Sequence, residues 1–145
     1  GNVMEMLDER IGGMTRLYAN ELSDWAQTNQ RIAGSIKAAV PLADPLPALL
    51  AAKQAGEFDD AYFVYAHGGH AFPHPMPEGY NGTTRPWFKE TAAAGKPIVT
   101  VPYVDASTGK LTITFAEPVS ESGSLVAVVG TDMHLDSVTR KVNSI

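Results

Sequence analysis

Tyr80-Asn81-Gly82-Thr83-Thr84-Arg85-Pro86-Trp87-Phe88 places one cation among aromatic rings at the mouth of a helix. Thr84 or Thr83 suits the cap of that helix, and Pro86 suits its first turn, where a missing N–H is no loss. Arg85 then lies beside backbone N–H groups that favour an anion, and its planar guanidinium matches a carboxylate two bonds at a time. Tyr80 and Trp87 add an O–H, an N–H and apolar walls. Further along, Tyr103 and Asp105 are two apart, so on a strand both side chains leave the same face. Gly130-Thr131-Asp132 ends the apolar run Leu125 to Val129 with one acid. Two carboxylates and a phenol facing one arginine make a dipolar cradle, which a ligand carrying both an ammonium and a carboxylate fits best.

Each residue also has a plainer reading. Arg85 suits a surface arginine backed by a structural tryptophan. Asp105 suits the cap of the Ser107-Thr108-Gly109 turn, and Asp132 the cap of a helix starting near Leu135. Phe88 is expected to pack the pocket wall. His67, His70 and His74 fall within eight residues of a Gly/Pro-rich turn with no acid or cysteine at metal-ligand spacing, so a solvated turn is expected there, without metal or cofactor. No nucleophile elbow, phosphate loop, dinucleotide fingerprint or zinc-protease motif occurs, and an enzyme is not expected.

The elements that position these residues are legible as one domain. Leu7, Ile11, Met14, Tyr18, Leu22, Trp25, Asn29, Ile32 and Ile36 step by threes and fours, one stripe of an amphipathic helix from roughly Val3 to Val40. At roughly 36 residues it is ~54 Å long, more than a small sheet covers. Part of it must lie free, pack on a partner or continue toward a membrane. Pro41, Pro45 and Pro47 break the pattern, and Asp44 suits the cap of a short helix through Ala55. Strands are expected over Ala61–Ala66, Ala71–Phe72, Ile98–Val104, Leu111–Val119 and Ser124–Asp132, with an irregular loop Pro73–Gly82, a helix Pro86–Ala94 and a last helix Leu135–Val142. Periodicity alone gives an α+β fold with an antiparallel sheet of about five strands.

Composition agrees. The 145 residues, 44% hydrophobic and 19% charged, are enough for one domain with its own core. There is no cysteine, so no disulfide framework. A net charge of −5 with scattered Lys and Arg argues against a nucleic-acid partner. No run of about 18 apolar residues is present to span a membrane.

The order Tyr80, Arg85, Trp87, Phe88, Tyr103, Asp105, Asp132, with Pro102-Tyr103-Val104-Asp105 and Thr108-Gly109-Lys110 around it, resembles the amino-acid-binding motif of Cache sensor domains. These are extracytoplasmic modules of bacterial chemoreceptors, with relatives on histidine kinases and diguanylate cyclases. The likeness is firm from about Phe58 to Asp132 and looser over the N-terminal helix. It implies a single PAS-like module over residues 1–145, its sheet core at 58–134, in a periplasmic part of a membrane-anchored parent that dimerises through the long helix. It also implies that Tyr80, Arg85, Trp87 and Phe88 hold a ligand carboxylate, and Tyr103, Asp105 and Asp132 its ammonium. Phe88 departs from the usual tyrosine, which removes one hydroxyl contact. The competing expectations are a sensor of small carboxylates such as pyruvate, lactate or acetate, and a dimerisation module that senses nothing.

Overall fold

The structure is a computed structural model that describes residues 2–145, apart from the side chain of Ile11. Six antiparallel strands form one sheet: β1 (Asp60–Tyr65), β2 (His70–Ala71), β3 (Ile98–Val99), β4 (Tyr103–Val104), β5 (Leu111–Glu121) and β6 (Ser124–His134). Their order is β2-β1-β6-β5-β3, with β4 also on β5. The first strand therefore pairs with the last, across some seventy residues of sequence. The β5–β6 hairpin turns at Ser122 and Gly123, both with positive φ, the backbone a two-residue hairpin needs.

Strand pairing sorts the side chains onto two faces, because directly opposed residues point the same way. Asp60, Asp132 and Thr114 fall in one row of register, and Tyr62, Gly130 and Ala116 in the next. Trp87 and Phe88 cover this face from α3 (Pro86–Ala94), packing with Tyr62, Val64, Ala116 and Val128. The other face carries Ala61, Phe63, Phe115, Val129 and Met133. It packs on the C-terminal half of α1 (Asn2–Ser35), through Ala33 and Ile32, and on Leu49 and Ala52 of α2 (Leu46–Ala55). A short α4 (Leu135–Asn143) follows β6.

The long helix is 34 residues, and it tightens into a 3-10 turn at Ile36–Ala39 just before Pro41, so its regular part ends earlier than Val40. Its stripe divides in two. From Trp25 onward it meets the sheet, whereas Leu7, Met14 and Tyr18 are exposed, together with Val3, Met4, Met6 and Leu17. Ile11, also in the stripe, has a side chain outside the described residues.

Three other expectations are corrected. The run Ile98–Val104 is two short strands, because Pro102 has no N–H for the ladder, although the Thr100 N–H still donates to the Thr114 carbonyl at 3.0 Å. Neither Thr84 nor Thr83 caps α3. Asn81 claims the Thr83 N–H and hydroxyl and the Thr84 hydroxyl, forming a 3-10 turn Gly82–Thr84, and Arg85 itself becomes the N-cap residue. The cap of α2 falls on Pro45, with Asp44 accepting from the Leu46 N–H at 3.3 Å.

Candidate functional site

One end of the candidate site is built from strands. Asp132 on β6 is 3% exposed, and two hydroxyls converge on one of its oxygens. Tyr62 donates to Oδ1 at 2.6 Å from β1, and Thr114 donates to the same atom at 2.7 Å from β5. Tyr103, from β4, in turn donates to the Thr114 hydroxyl at 2.5 Å. Among the described residues both donors reach Oδ1 and none reaches Oδ2. Gly130 makes this cluster sterically feasible. A Cβ there would lie 3.0 Å from the Tyr62 ring and 3.2 Å from the Thr114 methyl.

Removal from water pushes the Asp132 carboxyl up to about 8, further raised by the charges of Asp60 and Asp105 and only partly offset by the two hydroxyl donors. Burial thus favours the protonated carboxyl, and a cation beside it would favour the ionised form. Burial likewise raises the Tyr62 and Tyr103 phenols and pushes Tyr80 up to about 12, so all three remain hydrogen-bond donors.

The other end comes from a loop and a helix start. Arg85 sits where α3 begins, over the Tyr103 ring at 5.9 Å, with Nη2 donating to the Val104 carbonyl at 2.6 Å. Tyr103 thus spans both ends, with its face under the cation and its hydroxyl wired to Asp132. Tyr80 is half-buried, close enough to Arg85 for the cation to act on its phenol, and edge-on to Phe72 at 5.6 Å. Trp87 is buried edge-on against Tyr62 at 5.2 Å, and Phe88 against Trp87 at 5.8 Å, so both belong to the packed layer between α3 and the sheet.

Asp105 does the plainer job. Its Oδ2 accepts from the Ser107 hydroxyl at 3.0 Å, and from the Thr108 N–H at 3.2 Å and hydroxyl at 2.7 Å. It is nevertheless half-buried and its charge reaches Asp132, Tyr103 and Tyr80, so it contributes to the negative end. Asp132 caps nothing: the N–H of His134 at the start of α4 goes to Asp59 at 2.8 Å.

The histidine turn is not simply solvated. His74 is half-buried, with Nε2 2.6 Å from Asp60 and Nδ1 3.0 Å from the Pro75 carbonyl, while His70 meets Tyr80 and Phe72 edge-on. Residue-type reasoning missed Tyr62, Thr114 and Asp60 as well. Alternation in Asp60-Ala61-Tyr62-Phe63-Val64 marks Asp60 and Tyr62 as sharing a face, which was the available signal. Elsewhere, a groove of about 480 Å³ between α1 and α2 is lined by Thr28, Arg31, Ile32 and alanines. It offers one cation and no acid, so it does not suit a zwitterion.

Solved structures share this architecture. The ligand-binding domain of the Pseudomonas aeruginosa amino-acid chemoreceptor PctC, in complex with GABA, superposes with a TM-score of 0.80 at 29% identity, over 94% of this chain and 68% of that one. That of the Pseudomonas fluorescens chemoreceptor CtaA, in complex with L-isoleucine, gives 0.79 at 26%, over 95% and 60%. In sequence, 69 residues, 48% of the chain, are 44% identical to the methyl-accepting chemotaxis protein PscA of Pseudomonas syringae pv. tomato, of which they span only 11%. Residues 21–140 match the methyl-accepting chemotaxis protein-like first PDC sensor domain, and the chain belongs to that family.

Proposed function

We propose that this domain is the extracytoplasmic sensor of a membrane-anchored chemoreceptor and that it binds a small L-amino acid without reacting with it. The ligand carboxylate meets Arg85, Tyr80 and the start of α3, walled by Trp87 and Phe88. The ammonium meets Asp132, Tyr103 and Asp105. The observation that carries this reading is Asp132: a buried carboxyl with two donors on one oxygen and none on the other, joined through Tyr103 to the arginine that would hold the opposite charge. The amino-acid complexes of PctC and CtaA support it. Closure on the ligand shifts the sheet against α1, which carries the change toward the membrane. The exposed apolar N-terminal half of α1 suits a parallel homodimer. Among the described residues no helix is long and apolar enough to cross a membrane, so the anchor belongs to other parts of the parent.

A second reading, a sensor of short carboxylates, is favoured by one observation. Asp132 is buried directly opposite Asp60, which favours its protonated form, a donor that needs no cation to offset it. A thermal-melt screen of L-amino acids against acetate, lactate and pyruvate separates the two. Ligand a hundredfold above Kd adds about 2.7 kcal/mol, or ~2–4 °C per kcal/mol near this size. Stabilisation by amino acids alone supports the first reading, by the acids alone the second. No shift with either leaves a dimerisation module.

A further inference from the structure

Outside the seven motif residues, the loop between β2 and the 3-10 turn at Gly82–Thr84 is tied to the sheet at two points. The Phe72 ring stacks on Tyr62 at 4.5 Å. Two residues on, His74 Nε2 lies 2.6 Å from Asp60 Oδ2, while its Nδ1 lies 3.0 Å from the Pro75 carbonyl. Both ring nitrogens therefore face acceptors, and only the imidazolium can donate at both. A neutral ring leaves one nitrogen lone pair against an oxygen, which is repulsive.

Asp60 is buried and opposes Asp132 directly across the β1–β6 ladder on the ligand-facing side. Like charges in that relation are destabilising, and the His74 cation is what compensates Asp60. The same loop carries Tyr80, whose ring packs edge-on against Phe72 at 5.6 Å. Pinning His74 thus fixes Phe72 on Tyr62, with Tyr80 edge-on to Phe72.

We infer that the His74–Asp60 pair is a latch: it holds the loop carrying Phe72 and Tyr80 against β1 at Asp60 and Tyr62, and its release on deprotonation of His74 weakens ligand binding. His74 and Asp60 are positioning residues here. The binding consequence rests on the sensor reading above, but the latch itself does not. The other charges acting on the pair are Asp105 on the β4–β5 hairpin, which acts on His74, Lys53 on α2, which acts on Asp60, and Asp132 on β6, which opposes Asp60 across the ladder. Burial opposes the His74 charge, but the hydrogen bonds to Asp60 and Pro75 outweigh it and raise the ring above its ordinary value. The latch is therefore closed in acid and opens as pH rises through that raised value.

The test uses amide hydrogen exchange across residues 76–84, expressed as protection factors, from about pH 5.5 to about pH 8.5, where histidine changes charge. In the wild-type domain, protection is expected to fall at least tenfold over that range. In His74→Gln it should be low throughout and insensitive to pH. The amino-acid Kd of His74→Gln divided by that of wild type should be at least fivefold in acid and approach one in alkali, a ratio in which the Asp132 titration, common to both proteins, largely cancels. A merely structural pair would lower the melting temperature and leave that ratio flat. Loop protection independent of pH in the wild type overturns the latch, as does a His74→Gln profile matching wild type. If the wild type binds neither amino acids nor short acids, the sensor reading fails, and the exchange profile still decides the latch without any ligand.

Discussion

The two ends of the proposed site are made differently. The proposed amine end is Asp132, Thr114 and Tyr62, each buried and each on a central strand whose neighbours fix its register. The proposed carboxylate end is Arg85 and Tyr80, both half-buried, on a loop and a helix start, and the guanidinium donates to the Val104 carbonyl. A strand-built group holds its position whether or not a ligand is bound. A loop-built cation can exchange a backbone acceptor for a ligand carboxylate. On the proposed reading, the sheet would supply the fixed half of recognition and the segment from Tyr80 to Phe88 the closing half.

The sharpest way to break that contrast is to remove one charge from each end. Arg85→Ala is expected to weaken amino-acid binding about a hundredfold, since losing one partner of a desolvated charge pair typically amounts to ~2–5 kcal/mol. The melting temperature without ligand should change by no more than about 2 °C, because a half-exposed side chain with one backbone bond contributes little to the fold. Asp132→Asn is nearly isosteric. Its carbonyl oxygen can take the Tyr62 and Thr114 donors while its NH₂ faces the cleft, where it meets an ammonium donor to donor. A similar loss of affinity is expected in calorimetry, with the fold kept. Should Arg85→Ala melt far below wild type, the cation is part of the scaffold and the contrast is wrong.

pH separates the ends next. The folded Asp132 pKa, about 8, lies above the ordinary carboxyl value of 3.8. The folded state therefore holds a proton that the unfolded chain has released, and this contribution is complete below the unfolded value and lost as pH rises through about 8. Asp60 and His74 are also raised, and their contributions fade in the same direction. The ligand-free domain is thus expected to melt several degrees lower near pH 8.5 than near pH 5.5, at no more than ~1.4 kcal/mol per pH unit for each group. In Asp132→Asn the slope should be visibly reduced. Binding has opposite signs for the two ligand classes. An ammonium must expel the Asp132 proton, so amino-acid affinity should rise toward pH 8, by up to about tenfold per unit less the roughly fivefold loss expected as the His74 latch opens. A short carboxylate accepts from the protonated acid, so its affinity should fall over the same interval.

The same contrast explains what the sequence made legible. Arg85-Pro86-Trp87 and Pro102-Tyr103-Val104-Asp105 are local signals, in which a helix start or a hairpin defines what a side chain faces within a few residues. The strands and the α+β class were readable from alternation and turns for the same reason. Tyr62 and Thr114 were not, because their role exists only through register: Tyr62 reaches Asp132 across 70 positions and Thr114 across 18. His74 was read from its Gly/Pro-rich surroundings as solvated, and only the arrival of β1 beneath the loop gives it Asp60.

Gly130→Ala sharpens the claim that the amine end is rigid. The added Cβ would meet the Tyr62 ring at 3.0 Å and the Thr114 methyl at 3.2 Å, with no strained backbone to relieve. Overpacking of this kind typically destabilises by ~1–3 kcal/mol. The melting temperature should fall by several degrees, and the Tyr62 hydroxyl should lose its 2.6 Å approach to Asp132, weakening amine binding roughly tenfold by loss of one charge-assisted bond. If instead Tyr62 slides aside and affinity is unchanged, the strand-built end is softer than its burial suggests.

The smallest effect is expected from restoring the family's usual residue at the carboxylate end. Phe88 is 6% exposed and packs against Trp87 in the layer between α3 and the sheet. In Phe88→Tyr a hydroxyl is added to a buried ring, and the melting temperature of the ligand-free protein should drop slightly. With ligand bound it can donate to the carboxylate beside Arg85, and a net gain of about 0.5–1.5 kcal/mol corresponds to roughly two- to tenfold tighter binding. A gain in affinity paired with a loss of ligand-free stability is what a loop-and-helix end completed only by its ligand should show. A stabilised free domain with unchanged affinity would mean that the carboxylate end already closes on itself, and the asymmetry between the two ends would vanish.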